Sequence, residues 1–280
     1  MNFPKISVII PTHNRAWTLR HAVDSVLAQD YPDFELIVVD DGSTDETPEL
    51  LESYGDGIRV LTQANQGVSA ARNRAIKASR GDLIAFLDSD DAWEPGKLAC
   101  QAEFFMENPE AMICQTEEIW IRNGRRVNPM KKHKKPSGHI FEASLKLCLV
   151  SPSAVMMRRE LFDIKGMFKE DYPVCEDYDL WLRVSRDMPV YLIDKPYTIK
   201  RGGHEDQLSS SHSQDKYRIA AIVDLMAGGE LTPDQYRAAA RVLEKKCRIY
   251  GNGCIKRGRQ EEGETYLALY NKVLAGNSEV

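Results

Sequence analysis

The chain has 280 residues, 42% of them hydrophobic and 28% charged, a composition ordinary for a soluble globular protein with one large domain plus an appendage, or two small domains. Its 37 basic and 42 acidic side chains leave a net charge of −5, which argues against nucleic acid as the main partner because no overall basic field draws a polyanion in. No apolar stretch approaches the roughly 20 residues of a membrane-spanning helix, no signal-peptide pattern opens the chain, and the six cysteines form no C-x-x-C pair, so plain thiols in a cytoplasmic protein are expected.

In chain order, residues 6–10 read as a strand and 16–28 as a helix with Leu19, Val23, Val26 and Leu27 on one stripe. A second strand spans 36–39, and a helix near 46–54 follows with Asp45 or Thr44 as its N-cap. Residues 58–61, 68–78 and 83–87 read as strand, helix and strand. This succession implies a mostly parallel, right-handed sheet with helices on both faces. Beyond Asp91 come a helix at 95–107, a β run at 112–121, and an Asn123-Gly124 turn that marks a hairpin. The lysine-rich segment 130–138 reads as a mobile loop; 150–157 and 190–193 are further strands around a helix at 177–186. After about residue 214 only helical patterns remain. Thr232-Pro-Asp-Gln235 is a capping box. The stripe from Tyr236 through Leu243 to Tyr250 fits either a face packed on the rest of the chain or a homodimer surface.

Two of these strands end in clustered acids, Asp40-Asp41 with Asp45, and Asp88-Ser89-Asp90-Asp91. Ligand sites in open α/β sheets lie beyond the carboxyl ends of the strands. Carboxylates gathered there suit a hard divalent cation carrying a phosphorylated ligand. A phosphoryl-accepting hydrolase would use Asp88-Ser-Asp90 but lacks the small turn that should follow, where Asp91-Ala-Trp93 stands. A receiver-type switch places its acid pair on the first strand, and Lys195 lies too far from Asp88 for one. A dehydrogenase is disfavoured because Pro11-Thr-His-Asn-Arg15, not G-x-G-x-x-G, follows the first strand. Sugar transfer from a nucleotide accounts for more of the pattern.

Five motifs in order carry that reading: Ser7-Val-Ile-Ile-Pro11-Thr12-His13-Asn14-Arg15, Val38-Val-Asp40-Asp41-Gly42-Ser43-Thr44-Asp45, Asn65-Gln-Gly67-Val-Ser-Ala-Ala-Arg72-Asn73, Phe86-Leu-Asp88-Ser-Asp90-Asp91 and Cys175-Glu176-Asp177-Tyr178-Asp179-Leu180-Trp181. Together they resemble the family 2 glycosyltransferases from residue 5 to about 205. The resemblance implies the GT-A fold, an α/β Rossmann-like nucleotide-binding mixed sheet flanked by helices. It implies a transferase domain at 1–213, with a nucleotide-binding half at about 1–93 and an acceptor half at about 94–213; the helical C-terminal region at 214–280, read from its residue pattern, lies outside the resemblance. Pro11, Thr12, Asn14, Asp41, Arg72 and Asp88 would line the nucleotide pocket. Asp88 and Asp90 would hold Mg²⁺ or Mn²⁺, with His204 as a further ligand. Asp177 would be the general base and Glu176 an acceptor contact. The implied reaction is inverting transfer from a nucleotide sugar, UDP-sugar by precedent, to a glycan, lipid-linked or protein hydroxyl, with peripheral contact at the inner face of the membrane. The rival reading keeps the fold but makes the chain a nucleotide-sugar-binding scaffold with little turnover.

Overall fold

The computed structural model describes residues 3–128, 130–204 and 214–276. Strand β1 (Ile6–Thr12), helix α1 (Ala16–Leu27), β2 (Phe34–Asp40), α2 (Thr47–Glu52), β3 (Arg59–Thr62), α3 (Val68–Ala78) and β4 (Leu83–Phe86) follow the expected alternation. All seven residues of β1 and all four of β4 are buried, as a parallel strand covered on both faces must be. Period-two alternation sends Ile6, Val8 and Ile10 to one core, with Leu19, Val23 and Val26 of α1. Ile9, Ile37 and Val39 go to the other, with Ala71, Ala75 and Ile76 of α3.

The remaining elements are β5 (Ala92–Trp93), α4 (Lys97–Glu107), β6 (Ile113–Arg122), β7 (Arg125–Val127), α5 (Phe141–Lys146), β8 (Val155–Arg158), α6 (Glu160–Lys165), α7 (Glu176–Ser185), β9 (Tyr191–Gly202), α8 (Gln214–Ala227), α9 (Pro233–Lys256) and α10 (Gln260–Gly276). One nine-stranded sheet runs β3-β2-β1-β4-β8-β6-β9-β5, with β7 paired to β6. The parallel expectation holds from β3 to β4 and fails beyond it. There β8 is antiparallel to both β4 and β6, β9 parallel to β6, and β5 antiparallel to β9. The chain leaves β1 toward β2 on one side and reaches β4 on the other, so the carboxyl ends of β1 and β4 flank a topological switch point.

Two segments differ from their sequence reading. The strand expected at 150–157 begins only at Val155, because Pro152–Ala154 forms a 3₁₀ turn. The lysine-rich segment is not a solvated loop throughout. Lys131–His133 form a 3₁₀ turn and Lys135 is buried in an ion pair with Glu118 at 2.9 Å.

In the tail the capping box forms as read: Thr232 Oγ1 accepts from the Gln235 amide, and Gln235 Oε1 accepts from the Thr232 amide. Ala239, Leu243, Cys247 and Tyr250 of the α9 stripe share a core with Ile222 of α8, Phe141 and Leu145 of α5, and Tyr178 and Leu182 of α7. The stripe packs on the sheet-bearing part of the chain. Helices α9 and α10 meet at Gly251 and Gly263, where a methyl group on either would stand 2.8 or 2.7 Å from the other's carbonyl oxygen.

Candidate active site

The first acid cluster is largely occupied by local structure. Asp41 is buried, and its carboxylate accepts from Gln63 Nε2 (2.7 Å) and from the amides of Gln66 (2.9 Å) and Gly67 (2.8 Å). It therefore shapes the turn into α3, with about one of its four lone-pair positions left over. Asp40 accepts the Ser43 amide, and Asp45 accepts the amides of Ala16 and Thr47, the first residues of α1 and α2, although the N-cap of α2 is Glu46 and not Asp45 or Thr44. Asn14 has a left-handed backbone (φ 52°) and accepts the Thr44 amide at 2.7 Å, tying the ends of β1 and β2 together. Thr12 is buried, and its hydroxyl has no hydrogen-bond partner among the described residues. Of these nucleotide-side residues Pro11 lines the main cavity, and Thr12, Asn14 and Asp41 are not among the residues that line it.

The second cluster faces that cavity, which holds about 470 Å³. Asp88 accepts from Arg72 at 2.8 Å, and its amide donates to Ser153 Oγ. Burial acts to raise Asp88, but the charges of Arg72 and Lys200 outweigh it and hold the carboxyl below its ordinary range. At Asp90 burial and the neighbouring Asp88 outweigh the charges of Arg15, Lys200 and His204 and push the carboxyl up. Its Oδ2 lies 2.9 Å from His204 Nε2, and the imidazole rests edge-on against Trp17 at 5.3 Å. Asp91 is buried and accepts from Ser153 Oγ (2.6 Å) and the Arg201 amide (2.9 Å), with Lys200 Nζ at 3.6 Å. Burial carries Asp91 up to about 7.

Helix α7 supplies the opposite wall. Cys175, in the left-handed region (φ 64°), ends the preceding loop so that Glu176 and Asp177 occupy the first turn of the helix, where the backbone dipole favours negative charge. Glu176 Oε1 accepts from Arg72 Nη1 at 2.5 Å; burial nonetheless pushes its carboxyl up to about 7. Asp177 lines the cavity, accepting from the Tyr178 amide at 2.7 Å and from the Cys148 thiol at 3.5 Å. The two terminal nitrogens of Arg72 join Asp88 of one wall to Glu176 of the other. The fold thus brings Arg72, Asp88, Asp90, His204, Glu176 and Asp177 together.

Sequence reasoning missed Asp91, Lys200 and the Glu118–Lys135 pair. Asp91 stood in view as the last acid of its motif. Lys200 and Lys135 carried only weak signals, since an isolated lysine in a polar strand or loop reads as solvated.

Among the described residues no three His, Cys, Asp or Glu side chains form a set able to hold a metal ion alone. The donor chemistry still fits a hard divalent cation. Mg²⁺ is commonly held by one or two carboxylates with substrate phosphates completing its sphere, and a cation beside Asp90, which burial and Asp88 raise, would relieve that carboxylate's charge.

The sheet order and the cavity at its switch point define an α/β protein of the GT-A class. The Glycosyl transferase family 2 model matches residues 7–164, and the chain belongs to that family. An uncharacterized glycosyltransferase of Rickettsia felis is 32% identical over 222 residues, covering 76% of this chain and 37% of that protein. The chain spans about a third of the length of the first curated relatives it matches. The Escherichia coli UDP-Glc:alpha-D-GlcNAc-diphosphoundecaprenol beta-1,3-glucosyltransferase WfgD is 34% identical over 191 residues, covering 68% of this chain and 73% of its own. Among solved structures, S. aureus TarS 1–349 with UDP-GlcNAc superposes with a TM-score of 0.76 at 22% identity, over 96% of this chain and 81% of its own. A Pyrobaculum calidifontis mannosyltransferase with GDP-Man and Mn²⁺ gives 0.59 at 17%, over 99% and 86%. Both structures bear on the fold. No described helix is long and apolar enough to cross a membrane.

Proposed function

We propose that the chain is a metal-dependent, inverting glycosyltransferase that passes a sugar from a UDP-sugar to a hydroxyl in bacterial-type polysaccharide or glycan assembly. One observation carries the reading: Asp177 lines the same cavity as Asp88 and Asp90, and Arg72 joins the two walls. Residues 1–213 form the transferase unit on this reading and 214–280 its helical region. The reaction belongs on the cytoplasmic side, with peripheral membrane contact where the acceptor is lipid-linked.

The nucleotide lies at the β1 and β2 ends, beside Pro11, Thr12 and Asn14, over the turn that Asp41 holds. Asp177 takes the proton from the acceptor hydroxyl as it attacks the anomeric carbon from the face opposite the nucleotide, and one backside displacement inverts that centre. Glu176 positions the acceptor side while paired with Arg72. A bound Mg²⁺ or Mn²⁺, held by Asp90 with Asp88 and His204 beside it, would neutralise charge on the departing diphosphate.

The test pairs binding with turnover. UDP should raise the melting temperature in the presence of Mn²⁺. Asp177→Asn should keep that shift and lose transfer by ~10²-fold or more, the usual contribution of a general base. Full turnover in Asp177→Asn would reject this assignment, and a protein that binds UDP-sugars but never turns them over would be the scaffold instead.

A further inference from the structure

The far wall of the cavity is a charged hairpin that the transfer chemistry leaves unused. Strands β6 and β7 are joined by Asn123 and Gly124, both with left-handed backbones (φ 48° and 72°), which is the two-residue turn favoured by Asn-Gly. The register sets Arg122 directly opposite Arg125, and Trp120 opposite Val127. Like charges directly opposite on paired strands destabilise the sheet. Neither arginine has an ion-pair partner among the described residues, nor do the exposed Arg126, Lys131, Lys132 and Lys134. These six cations lie on the β6–β7 hairpin and the 3₁₀ turn that follows it, in a chain whose net charge is −5.

The rim is fastened in place. Lys135 Nζ donates to Thr116 O and to Glu118 Oε1, each at 2.9 Å, and the Trp120 indole donates to Glu118 Oε2 at 2.8 Å. The ring of His133 stacks on Trp120, centroids 5.1 Å apart and planes 29° apart. Arg122, Trp120 and His133 all line the cavity that holds Asp177. Burial, with the charges of Lys132 and Arg122, holds the imidazole below its ordinary value, and its buried Nδ1 has no hydrogen-bond partner among the described residues. An aromatic pair flanked by uncompensated guanidinium groups recognises a sugar ring joined to an anion, since arginine binds phosphate with two parallel hydrogen bonds.

We propose that Arg122 and Arg125, backed by Lys131 and Lys132, bind a phosphate group of the acceptor while the Trp120–His133 stack receives its sugar, so that the acceptor is a phosphate-linked saccharide. This rests on the glycosyltransferase reading above. The variant Arg122→Gln/Arg125→Gln relieves the like-charge pair, so it should melt no lower than the parent.

The experiment uses protein saturated with UDP and Mn²⁺, whose UDP-induced melting shift reads the donor side separately. Two probes are titrated at low salt: N-acetylglucosamine α-diphosphate on a short alkyl chain, and the neutral alkyl glycoside of the same sugar. The diphosphate should bind at least ~10-fold tighter, about 1.4 kcal/mol, and the Gln variant should erase that preference. Equal affinity for the two probes, or a preference that survives in the Gln variant, overturns the proposal. Vesicles of 30% phosphatidylglycerol in phosphatidylcholine form the second arm. Vesicle binding that falls in the Gln variant while the diphosphate preference survives assigns the rim to a membrane surface, and that outcome also overturns it. No UDP shift would instead remove the transferase reading.

Discussion

Arg72 and Glu176 stand 104 residues apart in the chain and meet in a 2.5 Å ion pair whose side chains are 3% and 8% exposed. The other terminal nitrogen of Arg72 reaches Asp88, so one guanidinium joins the helix after β3 to both acidic walls. Removing one partner of such a pair leaves a buried charge uncompensated. Arg72→Met should therefore cost ~3–5 kcal/mol of stability. Arg72→Met/Glu176→Leu should regain most of that while transfer stays lost. Urea midpoints of the two proteins make the check; a double variant no more stable than the single one contradicts it.

Asp90 is the acid of its motif with room to take a cation, since Asp88 is already bound to Arg72. Asp90→Asn should raise the Mn²⁺ concentration needed for half-maximal transfer by ~10-fold or more, the scale seen when a metal's immediate surroundings are altered. His204→Ala, which removes the imidazole 2.9 Å from Asp90, should do the same to a smaller degree. Metal titrations that superimpose on the parent's would take both residues out of the ion's surroundings. Chelation by EDTA should stop transfer in the parent and be reversed by added Mn²⁺.

Lys97 is wholly buried, its ammonium 4.2 Å from the centroid of Trp93. Burial pushes it down from 10.5 to about 7. The unfolded chain then binds a proton that the folded one does not in the window between those values. The resulting penalty is absent above pH 10.5, grows as pH falls toward about 7 and is constant below. Each unit is worth ~1.4 kcal/mol. The parent should melt higher at pH 9.5 than at pH 7. Lys97→Met should melt ~3 °C or more above the parent at pH 7 and lose the upward slope. A parent whose melting temperature ignores that pH interval contradicts the assignment.

Gly251 allows α9 and α10 to touch, because a methyl group there would sit 2.8 Å from both Gly263 O and Leu267 Cγ. Gly251→Ala should cost ~1–3 kcal/mol through overpacking. Neither glycine lines the cavity, so turnover at 25 °C should match the parent's. Thermal melts and initial rates on the same preparation separate the two effects.

What the residues disclosed was what neighbours in sequence decide. Val68–Ala78 fell where the helical pattern placed it, the Thr232–Gln235 capping box formed in both directions, and the Asn123-Gly124 turn joined its two strands. The buried runs of β1, β2 and β4 announced parallel strands, and the acids at their ends marked the crevice. Distant partners were not readable. Lys135 reads as one more solvated lysine until Glu118 comes to it across 17 residues, and nothing near Arg72 in sequence announces the Glu176 that α7 delivers to it. The mixed half of the sheet was obscure for a related reason. Strand β9 shifts register against β6 at Thr116, Glu117 and Glu118, and such irregularity blurs the alternation on which strand reading depends.

The Glu118–Lys135 clasp bears on how the hairpin rim meets a visitor. A surface already immobilised by its own scaffold surrenders little freedom when something settles on it, so tightness depends on fit and not on folding around the guest. Discrimination at this rim should then appear in how long a visitor stays, with arrival rates nearly alike for well and poorly matched ones.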